Sequence, residues 1–165
     1  MELRFGPKGM LMIDDARITF KNFSGKKGPY NKDGEREFSL VIPNEDIKEQ
    51  LLNDVNEDGA SWNVRVKPPR DPQEDPLIYL KVKVRFNQYG PKVYVISNGV
   101  QELLDEEDVG MIDRIAIEKC DMDISPSDKV VNGKPYRTAY LRAIRVYQRE
   151  THYDRFAERN DEPPF

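Results

Sequence analysis

Three observations predict a mainly β protein, folded as a small barrel or sandwich. Seven stretches alternate with period two and are rich in β-branched and aromatic residues. Turn signals separate them: Pro68-Pro69, Gly90-Pro91, Pro126 and Asn132-Gly133. Only two segments read as helical and no internal repeat is present, so a parallel doubly wound sheet is disfavoured. A chain of 165 residues suits one domain with appendages, and 34% charged residues against 38% hydrophobic ones set a modest core under an ionic surface.

The elements follow in order. Strands are predicted over 11–23 and 36–42. A helix is predicted over 44–58, where Pro43-Asn44 gives a start signal and Ile47, Leu51 and Leu52 form one apolar face. Strands over 61–67, 77–86 and 92–97 come next. A second short helix is expected over 102–113, with Asp105 capping a turn that carries Val109 and Ile112. Strands over 114–124 and 138–148 close the domain. Both helical segments are acid-rich, and their acids are expected to point away from any nucleic acid.

The formal net charge is −4, unpromising for a polyanion binder until it is divided along the chain. From Glu150 to Phe165 there are two basic and five acidic residues, which leaves a body of 24 basic against 25 acidic side chains. A nearly neutral body still binds phosphates where its charges are segregated. The chain divides at this point into a domain over 1–149 and a flexible acidic tail over 150–165.

The stretch 77–86 is the most informative. Leu80, Val82, Val84 and Phe86 point to one side and are core candidates; Tyr79, Lys81, Lys83 and Arg85 point to the other. An aromatic beside a row of cations suits single-stranded nucleic acid, whose unpaired bases offer π-faces and whose backbone offers a charge at each phosphate. The competing reading is an edge strand with lysine gatekeepers. Arg65 and Lys67 repeat the pattern more weakly on the preceding strand, where Trp62 reads as core.

Two further clusters are basic and aromatic. The stretch 24–34 carries Lys26, Lys27, Tyr30 and Lys32 among three glycines and reads as a flexible arm able to close over a strand. It lacks the spacing of a P-loop. Near the C-terminal strand lie Lys134, Tyr136, Tyr140 and Arg142, with Arg145 and Tyr147 predicted on the opposite face; the set Tyr136, Tyr140 and Arg142 is favoured for its place beside the Asn132-Gly133 hairpin.

The chain ends Asp161-Glu162-Pro163-Pro164-Phe165. In a partner's pocket the ring supplies apolar area, a basic rim pairs with the acids, and the prolines hold the segment extended. The competing reading is a frayed terminus. This ending resembles the acidic tip of bacterial and phage single-stranded DNA-binding proteins. The body resembles the tailed-bacteriophage members of that group, through Phe20-Lys21-Asn22-Phe23-Ser24-Gly25, Glu37-Phe38-Ser39-Leu40-Val41-Ile42-Pro43, Trp62-Asn63-Val64-Arg65-Val66-Lys67-Pro68-Pro69, Leu80-Lys81-Val82-Lys83-Val84 and Val131-Asn132-Gly133-Lys134 before Tyr140-Leu141. The resemblance implies an OB-fold-like small barrel of antiparallel strands, a groove for single-stranded DNA, and a tip that recruits replication and recombination proteins and competes with DNA. Arg155 and Arg159 depart from a purely acidic tail and weaken that competition.

Enzymatic readings are disfavoured. His152 is the only histidine and Cys120 the only cysteine, which excludes an internal disulfide and a Cys/His zinc cluster within one chain. Asp121 and Asp123 share a strand face without a companion motif and read as solvated acids, as do Asp14 and Asp15. No cofactor or metal is expected. No long apolar run or signal-peptide core is present, so a cytoplasmic protein without membrane contact is expected, in the host cytoplasm if phage-encoded. A homo-oligomer is compatible with this reading. The alternative class is a phage structural or host-inhibitory module whose acidic surface mimics DNA.

Overall fold

The computed structural model describes residues 1–29 and 31–150. Tyr30, His152 and the tip from Asp161 to Phe165 lie outside the described residues. Among the described residues ten strands run in chain order: β1 Glu2–Phe5, β2 Leu11–Ala16, β3 Ile18–Asn22, β4 Arg36–Val41, β5 Val64–Lys67, β6 Leu77–Val84, β7 Lys92–Ser97, β8 Val100–Leu104, β9 Ile117–Val131 and β10 Lys134–Gln148. One α-helix, α1 (Glu45–Asn53), follows β4. The mainly β expectation holds. The strand path is β1-β2-β9-β10-β6-β4-β3, with β5 on β6 and the β7–β8 pair on β10. The path does not close into a ring, and β10 pairs in parallel with both β6 and β7, where antiparallel strands were expected throughout.

The predicted strand over 11–23 is two strands. Asp15 has φ 57° and the β2–β9 register slips between Ile13 and Ala16, a bulge that turns the chain at Arg17. Helix α1 starts where predicted: the Asn44 side chain accepts from the Ile47 amide at 2.9 Å, and Glu45 and Asp46 suit its positive end.

The second helix is not formed as expected. Residues 100–104 are strand β8, paired to β7 through the turn Asn98-Gly99, both at positive φ, which is the two-residue hairpin geometry. The Asp105 part of the expectation holds: its carboxylate accepts from the Asp108 amide at 2.8 Å and its carbonyl from Val109 at 3.0 Å. A 3₁₀ turn, Val109–Arg114, then buries Val109 and Ile112 completely.

Pro126 does not end its strand either. β9 runs through it, because β2 leaves β9 after the Leu11–Ile124 pair and proline is tolerated where a strand has become an edge. The β9–β10 hairpin closes at Asn132 (φ 52°) and Gly133 (φ 78°), as the sequence signal predicts.

The core lies under the inward faces of β4, β6 and β10. Phe38 and Leu40 are buried directly opposite Val82 and Leu80, Val84 is buried next along β6, and Phe86 is half-buried beside them. Phe23 and Phe38 stack with centroids 5.3 Å apart. Trp62 is 1% exposed, and its indole N–H donates to Asp54 at 2.8 Å. A triad locks this corner: Arg137, 8% exposed, donates to both carboxylate oxygens of Asp128 and to Asp54, and its guanidinium lies 4.9 Å from the Trp62 ring centroid. Arg137 draws the Asp128 carboxyl below its usual range, mainly through that hydrogen bond.

Candidate nucleic-acid interface

Because β6 buries Ile78, Leu80, Val82 and Val84, its pleat turns Tyr79, Lys81 and Lys83 outward, with Arg85 continuing the row past its end. Strand pairing extends this face sideways. Arg65 lies opposite Tyr79 on β5, and Tyr140 of β10 lies beside Lys83. Lys67, Tyr136 and Arg142 are exposed on the same strands.

One end of the face is aromatic. Phe20, on edge strand β3, is 54% exposed and meets Tyr79 edge-on at 6.4 Å, while the Lys67 ammonium sits 5.1 Å from its ring centroid. Phe20 stands at φ 49° in a register slip between Thr19 and Asn22. A bulky residue in the left-handed region is strained, and such outliers cluster at functional sites. Alternation could not reveal Phe20 as a site residue, because the slip breaks it.

The other end is a cleft of about 290 Å3 between the β9–β10 hairpin and the β6–β7 connection. Arg85, Tyr89, Ser125, Ser127, Lys129, Tyr140 and Arg142 line it, and no acid does. The Arg85 guanidinium lies 5.4 Å from the Tyr140 ring centroid, and Tyr89 is 74% exposed. Lys129, Ser125 and Ser127 come from β9, which sequence reading ended at Ile124.

Between these ends the cationic stripe is interrupted. Glu37 on β4 pairs with Lys81 at 3.1 Å and is the register partner of Lys83. Glu106 lines a second cleft with Lys83 and Arg85 and bonds Arg36 at 3.2 Å, so the acids of the second acidic segment do not all point away from this face as expected. The neighbouring acids interact with one another: Asp105 pushes the Asp108 carboxyl up.

The two sets on β10 do not fall on opposite faces. A register slip between Leu141 and Ala143 resets the alternation, so Arg142 and Arg145 both point away from the core. Their surroundings still differ. Arg145 lines a pocket with Asp14, Asp121 and Asp123, and the Tyr147 hydroxyl donates to Asp121 at 3.2 Å. Tyr140 and Arg142 share the acid-free cleft. Among the described residues, no group of His, Cys, Asp or Glu is arranged to hold a metal ion.

The basic arm is tethered. Gly34 donates to the Gly25 carbonyl at 2.8 Å, Asn22 bonds both the amide and the carbonyl of Lys26, and Asn31 donates to that carbonyl at 2.6 Å. A side chain at Gly25 would come within 3.2 Å of the Gly34 backbone. Lys26, Lys27 and Lys32 are exposed on this frame, and its base, Gly34 to Arg36, shares the cleft with Lys83 and Arg85. Lys134 is exposed next to the β9–β10 turn.

Fold and face together define a β-sheet protein that presents a composite aromatic and cationic surface on its strands. The family model described as a putative phage ssDNA-binding domain matches residues 3–162, and the chain belongs to that family. Among solved structures, the fold is similar to the single-stranded DNA-binding protein from bacteriophage Enc34: in a C-terminal truncation (TM-score 0.58, 12% identity, 92% of each chain covered) and in complex with ssDNA (0.57, 13%, covering 92% of this chain and 93% of that one). A further Enc34 structure gives a TM-score of 0.55 at 12% identity, covering 96% of this chain and 99% of that one. No curated protein matches the sequence.

Proposed function

We propose that the chain is a sequence-tolerant single-stranded DNA-binding protein that protects exposed strands during phage replication or recombination, in the host cytoplasm and without catalysing a reaction. The observation that carries this reading is the outward face of β6, where Tyr79, Lys83 and Arg85 continue into Tyr140 and Arg142 of β10. Aromatic rings accept unpaired bases and the cations follow the backbone, with no demand for a particular sequence. Family membership and the likeness to a structure described as a complex with ssDNA support it. Among the described residues no helix is long and apolar enough to cross a membrane.

The DNA-binding set is Tyr79, Lys81, Lys83 and Arg85, flanked by Arg65, Lys67, Tyr136, Tyr140 and Arg142. Lys134 at the hairpin and Lys26, Lys27, Tyr30 and Lys32 on the arm complete it. We assign residues 1–149 to an OB-fold binding domain and 150–165 to an acidic tail whose tip, Asp161 to Phe165, recruits replication or recombination proteins. Titration of fluorescent oligo-dT, oligo-rU and duplex DNA at two salt concentrations tests the binding reading. Tight oligo-dT binding that weakens with salt, and much weaker duplex binding, is expected, since duplex bases are already stacked. Equal affinity for duplex and single strand would overturn it, and no retention on single-stranded DNA would favour the DNA-mimic module.

A further inference from the structure

We infer that the binding face is bipartite: one stacking station at Phe20 and Tyr79, a second at Tyr140 and Tyr89, and a charge-neutral crossing between them at the Lys81–Glu37 pair. This rests on the single-stranded DNA reading above and adds a minimum ligand length to it.

The two stations are built differently. At the first, a strained Phe20 stands edge-on to Tyr79, with the Lys67 ammonium over its ring and Arg65 opposite Tyr79. At the second, Arg85 lies over Tyr140 in a cleft that also holds Lys129 and Arg142. Each therefore offers a base a ring and a phosphate a cation.

What separates them is geometry and charge. Tyr79 and Lys83, the register partner of Tyr140, are four residues apart, roughly 13 Å along an extended strand. Glu37 holds Lys81 at 3.1 Å midway, and lies opposite Lys83. A phosphate crossing there meets a carboxylate already engaged with its nearest cation, so the midpoint contributes little attraction. A short oligonucleotide thus occupies one station or the other. Stacked nucleotides advance by about 3.4 Å each, and an extended strand by up to about twice that, so the stations lie about 2 to 4 steps apart and a strand must reach about 3 to 5 nucleotides before it engages both. Past that length the second station binds intramolecularly, at a high effective concentration.

The test is a length series of oligo-dT, from about 2 to about 12 nucleotides, against the full chain at one salt concentration. The affinity is expected to rise in a step of on the order of 10-fold or more between about 3 and about 5 nucleotides. Phe20→Ala is expected to abolish the step and to weaken longer oligonucleotides about 5- to 150-fold, the equivalent of one lost stacked base. Binding of the shortest oligonucleotides should persist at the second station. Phe20→Trp, which restores a ring at the same backbone position, should restore the step and so separates stacking from folding. A smooth gain with every added nucleotide, with Phe20→Ala costing the same at all lengths, overturns the bipartite face while leaving single-strand binding intact. Absence of binding at every length overturns the underlying function instead.

Discussion

Lys81 on β6 and Glu37 on β4 form a 3.1 Å ion pair in the middle of the cationic stripe, with Glu37 only 18% exposed at its side chain. An anion there screens the lysine from DNA and repels phosphate. Glu37→Gln is therefore expected to tighten single-strand binding and to steepen its salt dependence, because Lys81 becomes available for counterion release. Lys81→Ala alone should change the salt slope by less than Lys83→Ala or Arg85→Ala. Fluorescence titrations over a range of salt concentrations measure both. Weaker binding by Glu37→Gln would show that the carboxylate contacts the nucleic acid favourably.

Stacking and charge are separable on the same strand. Tyr79→Ala is expected to weaken oligo-dT binding by about 1–3 kcal/mol at every salt concentration, with the slope preserved. A combined Lys83→Ala and Arg85→Ala variant should instead flatten the slope. Parental binding by both folded variants would remove this face from the interface.

These expectations show where the sequence was legible. The outward set on β6 was readable because its alternate neighbours are all large and apolar, so one pleat fixes both faces. Asn132-Gly133 was readable because both positions need positive φ. The same signal at Asn98-Gly99 is masked by the acids that follow, whose pattern suits a helix. Pairings distant in sequence left no local trace: Glu37 beside Lys81, Asp54 and Asp128 around Arg137, and Lys129 in the cleft with Arg85. The bulges at Phe20 and Arg142 cancel the alternation on which strand reading depends.

Removal of Asp161 to Phe165 should leave the melting temperature nearly unchanged, since the last few residues of a domain seldom carry its core. Binding to DNA should hold or improve as two acids disappear. Capture of a replication or recombination protein should be lost, with Phe165→Ala accounting for most of the loss if the ring is the anchor. A truncated chain that captures the same partners would leave the tip without a recruiting role.

Cys120 is fully buried on β9, and burial, reinforced by Asp121, pushes its thiol up to about 12 from the ordinary 9.0. The thiolate is the reactive form, so native protein should resist thiol reagents and react only after denaturation. The folded value lies above the unfolded one. Unfolded chain therefore releases this proton first, and the associated stability, intact below about pH 9, is lost as pH rises toward 12. Cys120→Ala should remove that part of the alkaline destabilisation in chemical denaturation curves, and rapid labelling of the native protein would refute the burial argument.

Asp128, held by Arg137, carries the opposite linkage. The forked bond from Arg137 to Asp128 and the contacts of Arg137 to Asp54 and Trp62 tie the segment after α1 to the stem of the β9–β10 hairpin, the element that supplies Lys129 and Tyr140 to the cleft. Arg137→Ala leaves Asp54 and Asp128 facing each other without their common cation. A loss of about 3 kcal/mol is expected, at the low end for a broken buried pair because both carboxylates keep some solvent. Asp128 titrates below its usual 3.8 when folded, so the stability it contributes is complete above that pH and disappears as acid passes through the lower folded value. Denaturant titrations should show the parent losing stability below about pH 4 more steeply than Asp128→Asn. Single-strand affinity should fall in Arg137→Ala even where the protein remains folded, since the hairpin stem would no longer be held against Trp62. Unchanged affinity and unchanged stability in that variant would mean the triad neither supports the corner nor positions the cleft.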